Sequence, residues 1–395
     1  MKVLQILLFS VMLAGSLSSV SEARIWHVAK DGSGDFSVIQ DAVDAADSGD
    51  EIQIGPGRYD DFITIHEGGS LYWDIHVRVV GKSLSFIGSG VGQTIIGPED
   101  ASANEHDAYG ISSIEGPSTI SVSGISFENL NYRGIWLMYG HLEVDNCSFS
   151  NGYVGIRAMA SEGAVVINCH FENMEDISVV GTSPTSDFLV EDCTFDTVYG
   201  GVAFYWGNTL DCHVRNCTMS GGGVGRVGVS FADGATGSVS NCYFTGFLNY
   251  GVAFTNSGVV ACYDNIIEQD EGWGITLNGA EFLDFHDNIV SSNAGCIHLQ
   301  DTTPMTFHNN HFFRGEGAWF VRTNDYYPYG PYDVDMSGNW WGTTDLDELA
   351  EWTYDGNDND LVWMYVIYEP LADGPVSTEA TTWGGLKAMF RDATR

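Results

Sequence analysis

Lysine is almost missing from this sequence: Lys2, Lys30, Lys82 and Lys387 are its only copies in 395 residues. Lysine and arginine together number 15 against 53 acidic residues, a formal net charge of −38. A chain so short of positive charge lacks the basic patch that phosphate backbones require, which excludes nucleic acid and anionic membranes as partners. The same field repels polyuronates unless bound cations intervene. Most of this charge reads as a solvated surface; Ca2+ is a candidate ligand for part of it. Past the first two dozen residues no segment approaches the ~18–20 continuous apolar residues of a membrane span, so no span is expected. No cysteine lies near the N-terminus, the first being Cys147, so a lipid-anchored leader is not expected either.

The N-terminus itself is apolar. Met1-Lys2, a hydrophobic stretch from Val3 to Ala14 and Ser21-Glu22-Ala23 predict a signal peptide over residues 1–23, with a buried core helix as the plainer alternative. Removing it takes away Lys2 and Glu22, leaving 14 basic against 52 acidic residues, so the charge of −38 is unchanged. A secreted, extracellular or cell-surface location follows, with the periplasm as a variant of it.

A repeat organises the rest. VDNCSF, VINCHF, VEDCTF, VRNCTM and VSNCYF recur, followed by CYDNII, FHDNIV, FHNNHF and MSGNWW. Aligned, they put Cys147, Cys169, Cys193, Cys217 and Cys242 in one column, continued by Asn265, Asn288, Asn310 and Asn339 at spacings of 22 to 29 residues. GISF adds Ile125, for about ten coils. The positions three before this column (Val144, Val166, Val190 and their equivalents) and two after it (Phe149, Phe171, Phe195 and theirs) carry no charge and predict inward faces. A strand alternates faces every second residue, so the odd step of three marks a corner. Stacked Asn there can hydrogen-bond from coil to coil and tolerate left-handed backbone. A further strand in each unit, usually opened by Gly (GIWLM, GIRAM, GVAFY, GVSFA, GVAFT, GITLN), stacks Ile135, Ile156, Val202 and Val229 inward. Neither strand buries its apolar face alone; stacked coils do. The fold class is therefore an all-β solenoid, a right-handed parallel β-helix over residues 24–370.

The ends of such a rod need covering. Ser37 and Gln40 form a capping box for an N-terminal capping helix whose Ile39, Ala42, Val43 and Ala46 share one face. Strand 51–54 follows it. At the other end, residues 344–352 predict a short helix with Leu346 and Leu349 inward, and 362–368 a closing strand. Residues 371–395 read as a linker and a short amphipathic helix on Trp383, Leu386 and Phe390. Eight cysteines in an exported chain ordinarily mean disulfides. Five of them, however, share one inward column, and parallel stacking holds their Cβ atoms slightly beyond comfortable bridging distance. A free, buried thiol ladder is expected, and a catalytic thiol or zinc site is not.

VAKDGSGDFSVIQDAVDAADSGDEIQIGPGRY, from Val28 to Tyr59, resembles the opening of pectin methylesterases and related pectin-lyase-like β-helix proteins. The NCxF units resemble the general right-handed β-helix repeat, and GNWWGTTD with YDGNDND resembles the ending of bacterial secreted β-helix proteins. The resemblance spans nearly the whole chain after the leader and implies the fold. It does not imply the reaction. Gln300-Asp301-Thr302 echoes a pectin methylesterase motif, but GxxDFIFG and LGRPW are missing. So are NTDG and GHG of polygalacturonases, DPH of alginate epimerases, and WIDH and RxPxxR of a pectate lyase group.

In the resembling enzymes the cleft runs along the sheet of the Gly-led strands, which marks the candidate site here. One outward column is read as Trp136, Arg157, Ser178, Ala203, Ser230, Ala253, Thr276, His298 and Phe320. The next is read as Met138, Met159, Val180, Tyr205, Ala232, Thr255, Asn278, Gln300 and Arg322. Candidate catalytic residues are His298, Arg322, Asp270 and Glu271. Candidate substrate-binding residues are Tyr250, Trp273, Asn278, Gln300 and Tyr326, the last on a loop (324–329) walling one side. An imidazole, a guanidinium, carboxylates and aromatic faces are what sugar binding and acid–base chemistry use. Each has a plainer reading as solvated surface or turn cover. Elsewhere, His286 and His308 on adjacent coils, near Asp284, could share a metal or simply stack, and the turn from Asp355 to Asp360 could take Ca2+ or be a solvated turn.

Three functions compete: a monomeric, non-catalytic module binding extracellular or cell-surface polysaccharide; a polysaccharide lyase or glycoside hydrolase; and a structural or adhesive rod. The missing signatures favour the first.

Overall fold

The computed structural model describes residues 23–66, 68–69, 71–206, 211–300, 305–324, 331–359, 362–372 and 374. The expected leader up to residue 22, Tyr326 with most of its loop, and the C-terminal helix lie outside the described residues. Each coil passes through three short strands, and each strand pairs in parallel with its counterpart on the next coil. The first sheet starts with Ile25–Val28, Glu51–Ile54, Leu84–Gly88 and Ser118–Ser123 and runs on to Met305–His308. The second consists of three- and four-residue strands from Gly57–Tyr59 and Thr94–Ile96 to His311–Arg314, except that Thr218–Ala232 and Tyr243–Thr255 run on from it into the third. The third starts with Tyr72–Val80 and Asp107–Glu115 and ends with Trp319–Asn324 and Thr353–Tyr354. The result is a right-handed parallel β-helix of about 13 turns. The turns beyond the expected ten are at the N-terminal end, where Ile25–Val28, Glu51–Ile54 and Leu84–Gly88 stack as coils without an NCxF unit. An antiparallel hairpin of Ile63–His66 with Tyr72–Val80 is added there.

The corner ahead of the second sheet is built by the residue before the Cys/Asn column, not by the column itself. Asn146, Asn168, Asp192, Asn216, Asn241, Asp264, Asp287 and Asn309 all have φ between 49° and 57°. Asn and Asp tolerate this left-handed well best among side-chain-bearing residues. The turn they make throws the next side chain inward, and that explains the step of three.

Inside, the ladder forms as expected. Asn265 Nδ2 donates to Asn288 Oδ1 (2.9 Å), Asn288 to Asn310 (3.0 Å) and Asn310 to Asn339 (2.9 Å). Each Nδ2 also reaches a carbonyl of the preceding coil, Asn288 that of Cys262 and Asn310 that of Phe285, both at 2.8 Å. The thiols use the same acceptors: Cys169 Sγ points at Val144 O (3.8 Å) and Cys193 Sγ at Val166 O (3.6 Å). Cysteine gives way to asparagine in this column because each offers a donor to one recurring carbonyl. All eight cysteines are free and buried, and burial pushes the Cys212 and Cys296 thiols up to about 12.

Beside this ladder Phe127, Phe149, Phe171 and Phe195 stack almost parallel at centroid distances of 4.8 to 4.9 Å. Each fully buried ring contributes roughly 2–3 kcal/mol. The ladder also accounts for the Gly that opens the third-sheet strand. A Cβ on Gly134 would stand 2.6 Å from the Phe149 ring, and one on Gly155 2.7 Å from Phe171. The glycine vacates the space that the ring of the next coil fills.

Several sequence expectations shift. The N-terminal helix spans Ile39–Ala45 with Ile39, Ala42 and Val43 buried, but Val38 is its N-cap and no capping box forms. Gln40 is instead committed to the backbone of Arg78, accepting its N–H at Oε1 (2.7 Å) and donating from Nε2 to its carbonyl (3.2 Å). Near the C-terminus the helix is Leu346–Glu351, capped by Asp345. Leu349 is buried, but Leu346 points to solvent. Strand Met364–Ile367 pairs with Tyr332–Asp335 in a small separate sheet.

Candidate functional site: the outer face of the third sheet

Register corrects the outward columns at two coils. Arg157 lies beside Val180, which lies beside Ala203, and His298 lies beside Arg322. The column therefore runs Trp136, Arg157, Val180, Ala203, Ser230, Ala253, Thr276, His298, Arg322, and Ser178 and Phe320 leave it. Ser178 is buried, its hydroxyl donating to Gly200 O, and Phe320 is part of the core. The insertions before these two strands differ in length, so alignment on the Gly-led pattern slips by two residues. The correction brings the two expected catalytic groups, His298 and Arg322, from different columns into direct register on adjacent coils.

His298 is covered rather than solvated, 7% exposed. Trp273 stacks on it with ring centroids 5.0 Å apart, Tyr250 lies at 6.4 Å, and Gln300 Nε2 comes within 3.1 Å of its Nε2. Burial, and then the Arg322 guanidinium, push its pKa down to about 4, so the ring is neutral at pH 7. Trp273 crosses Gly295 of the next strand, where a Cβ would stand 2.2 Å from the indole. Tyr250, Trp273, Gly295 and Trp319 share one register column, and Trp319 continues the aromatic edge to Trp352 and Tyr354. Asn278 and Gln300 are half-buried neighbours in register. Arg322 is exposed, and so are Asp270 and Glu271 on the turn ahead of Trp273.

Toward the N-terminus the same face carries a second cluster that sequence reasoning missed. Trp73, Tyr109 and Trp136 pack together, with centroids 5.3 to 5.8 Å apart. Arg133 lies over the rings of Tyr132 (4.2 Å) and Trp136 (4.4 Å). Tyr132 stacks on Tyr153 at 6.2 Å. The aromatic residues were visible in GIWLM and its flanks, but Trp73 reaches the cluster through the hairpin, whose antiparallel pairing left no repeat signal. Between the clusters the floor is small: Val180, Ala203, Ser230 and Ala253. Along the opposite edge Trp206 is 58% exposed and Tyr139 48%. Tyr205 sits half-covered beside Trp206; burial, then Asp176, raise its phenol pKa, with Arg157 opposing and Asp233 adding.

The other candidate sites resolve into structure. Tyr263, His286 and His308 form a parallel stack at 5.2 and 5.0 Å. Asp287 holds His286 Nδ1 at 2.7 Å and Asp284 holds His308 Nε2 at 3.3 Å. Rings stacked face to face do not aim their nitrogens at one point, and no cluster of three or more His, Cys, Asp or Glu among the described residues is arranged for a metal. In the turn from Asp355 to Asp360, whose last residue lies outside the described residues, Asp355 is buried and its carboxylate ties the turn together by accepting the N–H of Val366 (2.9 Å) and of Asn357 (2.8 Å).

Among the described residues no helix is long and apolar enough to cross a membrane. No curated protein and no solved structure matches this chain. The family model for the right handed beta helix region matches residues 99–226 and 184–330, together more than half of the chain, and the protein belongs to that family.

Proposed function

We propose that the protein is exported and binds extracellular or cell-surface polysaccharide along the outer face of the third sheet, as a monomer and without cleaving it. The observation that carries this reading is the pattern of that face: a floor of small side chains between two edges of aromatic rings. Sugars present flat C–H faces that stack on aromatic rings and hydroxyls that meet polar tips, and a groove with few but placed polar groups suits them. Gln300, Asn278 and Tyr205 supply such tips.

A second reading is catalytic. A neutral His298 beside the Arg322 guanidinium has the form a lyase base needs next to a charge-neutralising group. The cover of Trp273 and Tyr250 weighs against it, because a base must reach the proton it removes.

Glycan arrays with and without Ca2+, comparing the unaltered protein with Trp206→Ala and Trp273→Ala, test the binding reading. Captured polysaccharide lost in both variants is the expected result; binding unaffected by either variant, or absent for every glycan, refutes it. Ultraviolet-absorbing unsaturated product that disappears in His298→Ala would replace it with the lyase reading.

A further inference from the structure

Of the eleven lysines and arginines among the described residues, five pair with a carboxylate. Lys30 meets Asp60 and Asp61, Arg58 meets Glu128, Arg78 meets Glu115, Arg215 meets Glu191 and Arg314 meets Glu348. Arg24, Lys82, Arg133, Arg157, Arg226 and Arg322 make no ion pair among the described residues, and of these six Arg133 and Arg157 also bury a guanidinium nitrogen. Arg133 is 7% exposed, and its one side-chain hydrogen bond among the described residues runs from Nη2 to Tyr132 Oη at 3.0 Å. Its Nε is buried without an acceptor, as are Nε of Arg157 and Nε1 of Trp136. Ser112, beside Trp136 in register, has a buried hydroxyl in the same state.

These groups converge. Arg133 lies over Trp136, and Arg157 is the register neighbour of Trp136 one coil on, ~4.8 Å away along the sheet. Burial first, and then the nearby Arg157 guanidinium, disfavour the charge of Arg133, and Asp107 acts on it only from beyond ion-pair reach. A buried donor without an acceptor costs free energy, as do two like charges held together. One group relieves both: an oxyanion received by donors on adjacent coils. The stacking of Arg133 between two rings holds its fork in place in advance of binding, which lowers the ordering cost of gripping a carboxylate or sulfate.

We infer that Arg133 and Arg157, with Trp136 and Ser112, form an oxyanion site for a carboxylate or sulfate group carried on the bound glycan. This rests on the polysaccharide reading and narrows it to acidic polysaccharides. It also answers the repulsion that a charge of −38 sets against any such ligand: the field is reversed locally, where the anion must land.

The test is calorimetric titration at fixed ionic strength with oligosaccharides of equal length that are neutral, uronate-bearing or sulfated. Arg157→Gln is the main variant, because Arg133→Gln disturbs a packed aromatic cluster. An acidic oligosaccharide should bind roughly tenfold or more tightly than the neutral one, and Arg157→Gln should erase that preference. Whether uronate or sulfate shows it identifies the anion. Neutral and acidic ligands binding alike, or a preference surviving in Arg157→Gln, overturns the site and leaves the polysaccharide reading standing. If no glycan binds, the thermal midpoint in sodium sulfate against sodium chloride at matched ionic strength separates the two claims. A sulfate-dependent rise lost in Arg157→Gln keeps the oxyanion site while the glycan reading falls, and no such difference removes both.

Discussion

The indole of Trp273 lies over Gly295 and stacks on the imidazole of His298, with centroids 5.0 Å apart. A glycine on one coil thus makes room for a ring from the coil before, and that ring covers a histidine three residues along the same strand. Gly295→Ala should push the indole away. The expected result is a His298 pKa that climbs from about 4 toward 6.5 in an NMR titration, with tryptophan fluorescence shifted to the red. Glycan binding through this edge should fall roughly tenfold. An unchanged His298 titration would mean that Trp273 does not shield it.

Stability should follow His298 with pH. Its folded pKa lies below the ordinary 6.5, so the unfolded chain takes up the proton first as pH falls. The stability contributed is complete above pH 6.5 and is lost as pH drops through about 4. His76 and His311 shift downward by burial and act in the same direction. Between pH 7 and 4.5, His298→Gln should lose about 1–2 kcal/mol less than the unaltered protein, once solvent screening of the ring edge is allowed for. Urea midpoints at the two pH values measure this.

The Asn ladder predicts an order of substitutions. Asn288→Leu takes the acceptor from the buried Asn265 backbone N–H, one of the acceptors from Asn265 Nδ2 and the side-chain donor from the Cys262 carbonyl, and should cost ~3–5 kcal/mol in denaturant unfolding. Asn288→Cys keeps a donor toward the Cys262 carbonyl and should cost about half as much. Equal losses would show that the shared carbonyl is not why the two residue types exchange.

The thiols should be silent in the folded protein. Without reductant, a disulfide-exchange reagent should label essentially none of the eight cysteines natively and all eight in denaturant. Fewer than eight after unfolding would reveal a bridge.

Much of the fold was legible because a solenoid repeats its contacts at a fixed interval, so side chains that touch in space align in the text. Val144, Phe149 and their equivalents could be assigned to the core by comparing nine units with each other. The same logic failed where repetition failed. The hairpin of Ile63–His66 has no counterpart on another coil, and insertions before Ile177 and Trp319 moved two strands by two residues. Gln40 had the spacing of a capping box, yet the nearby Arg78 backbone offered it two hydrogen bonds instead of one.

The sequence by itself determined the ten repeat-bearing coils, their inward columns, the corners within one residue and the aromatic character of one sheet. All of these follow from local alternation and from a period that stacking enforces. Only the tertiary structure decided which groups on that sheet are covered, which are unpaired, and which neighbours they have across coils. His298 reads as exposed in its strand and is covered by a ring 25 residues earlier, and Arg133 and Arg157 read as two scattered arginines. The burial of their Nε atoms, and the lack of an ion-pair partner for them among the described residues, arise from packing between coils, a relation that no single repeat contains.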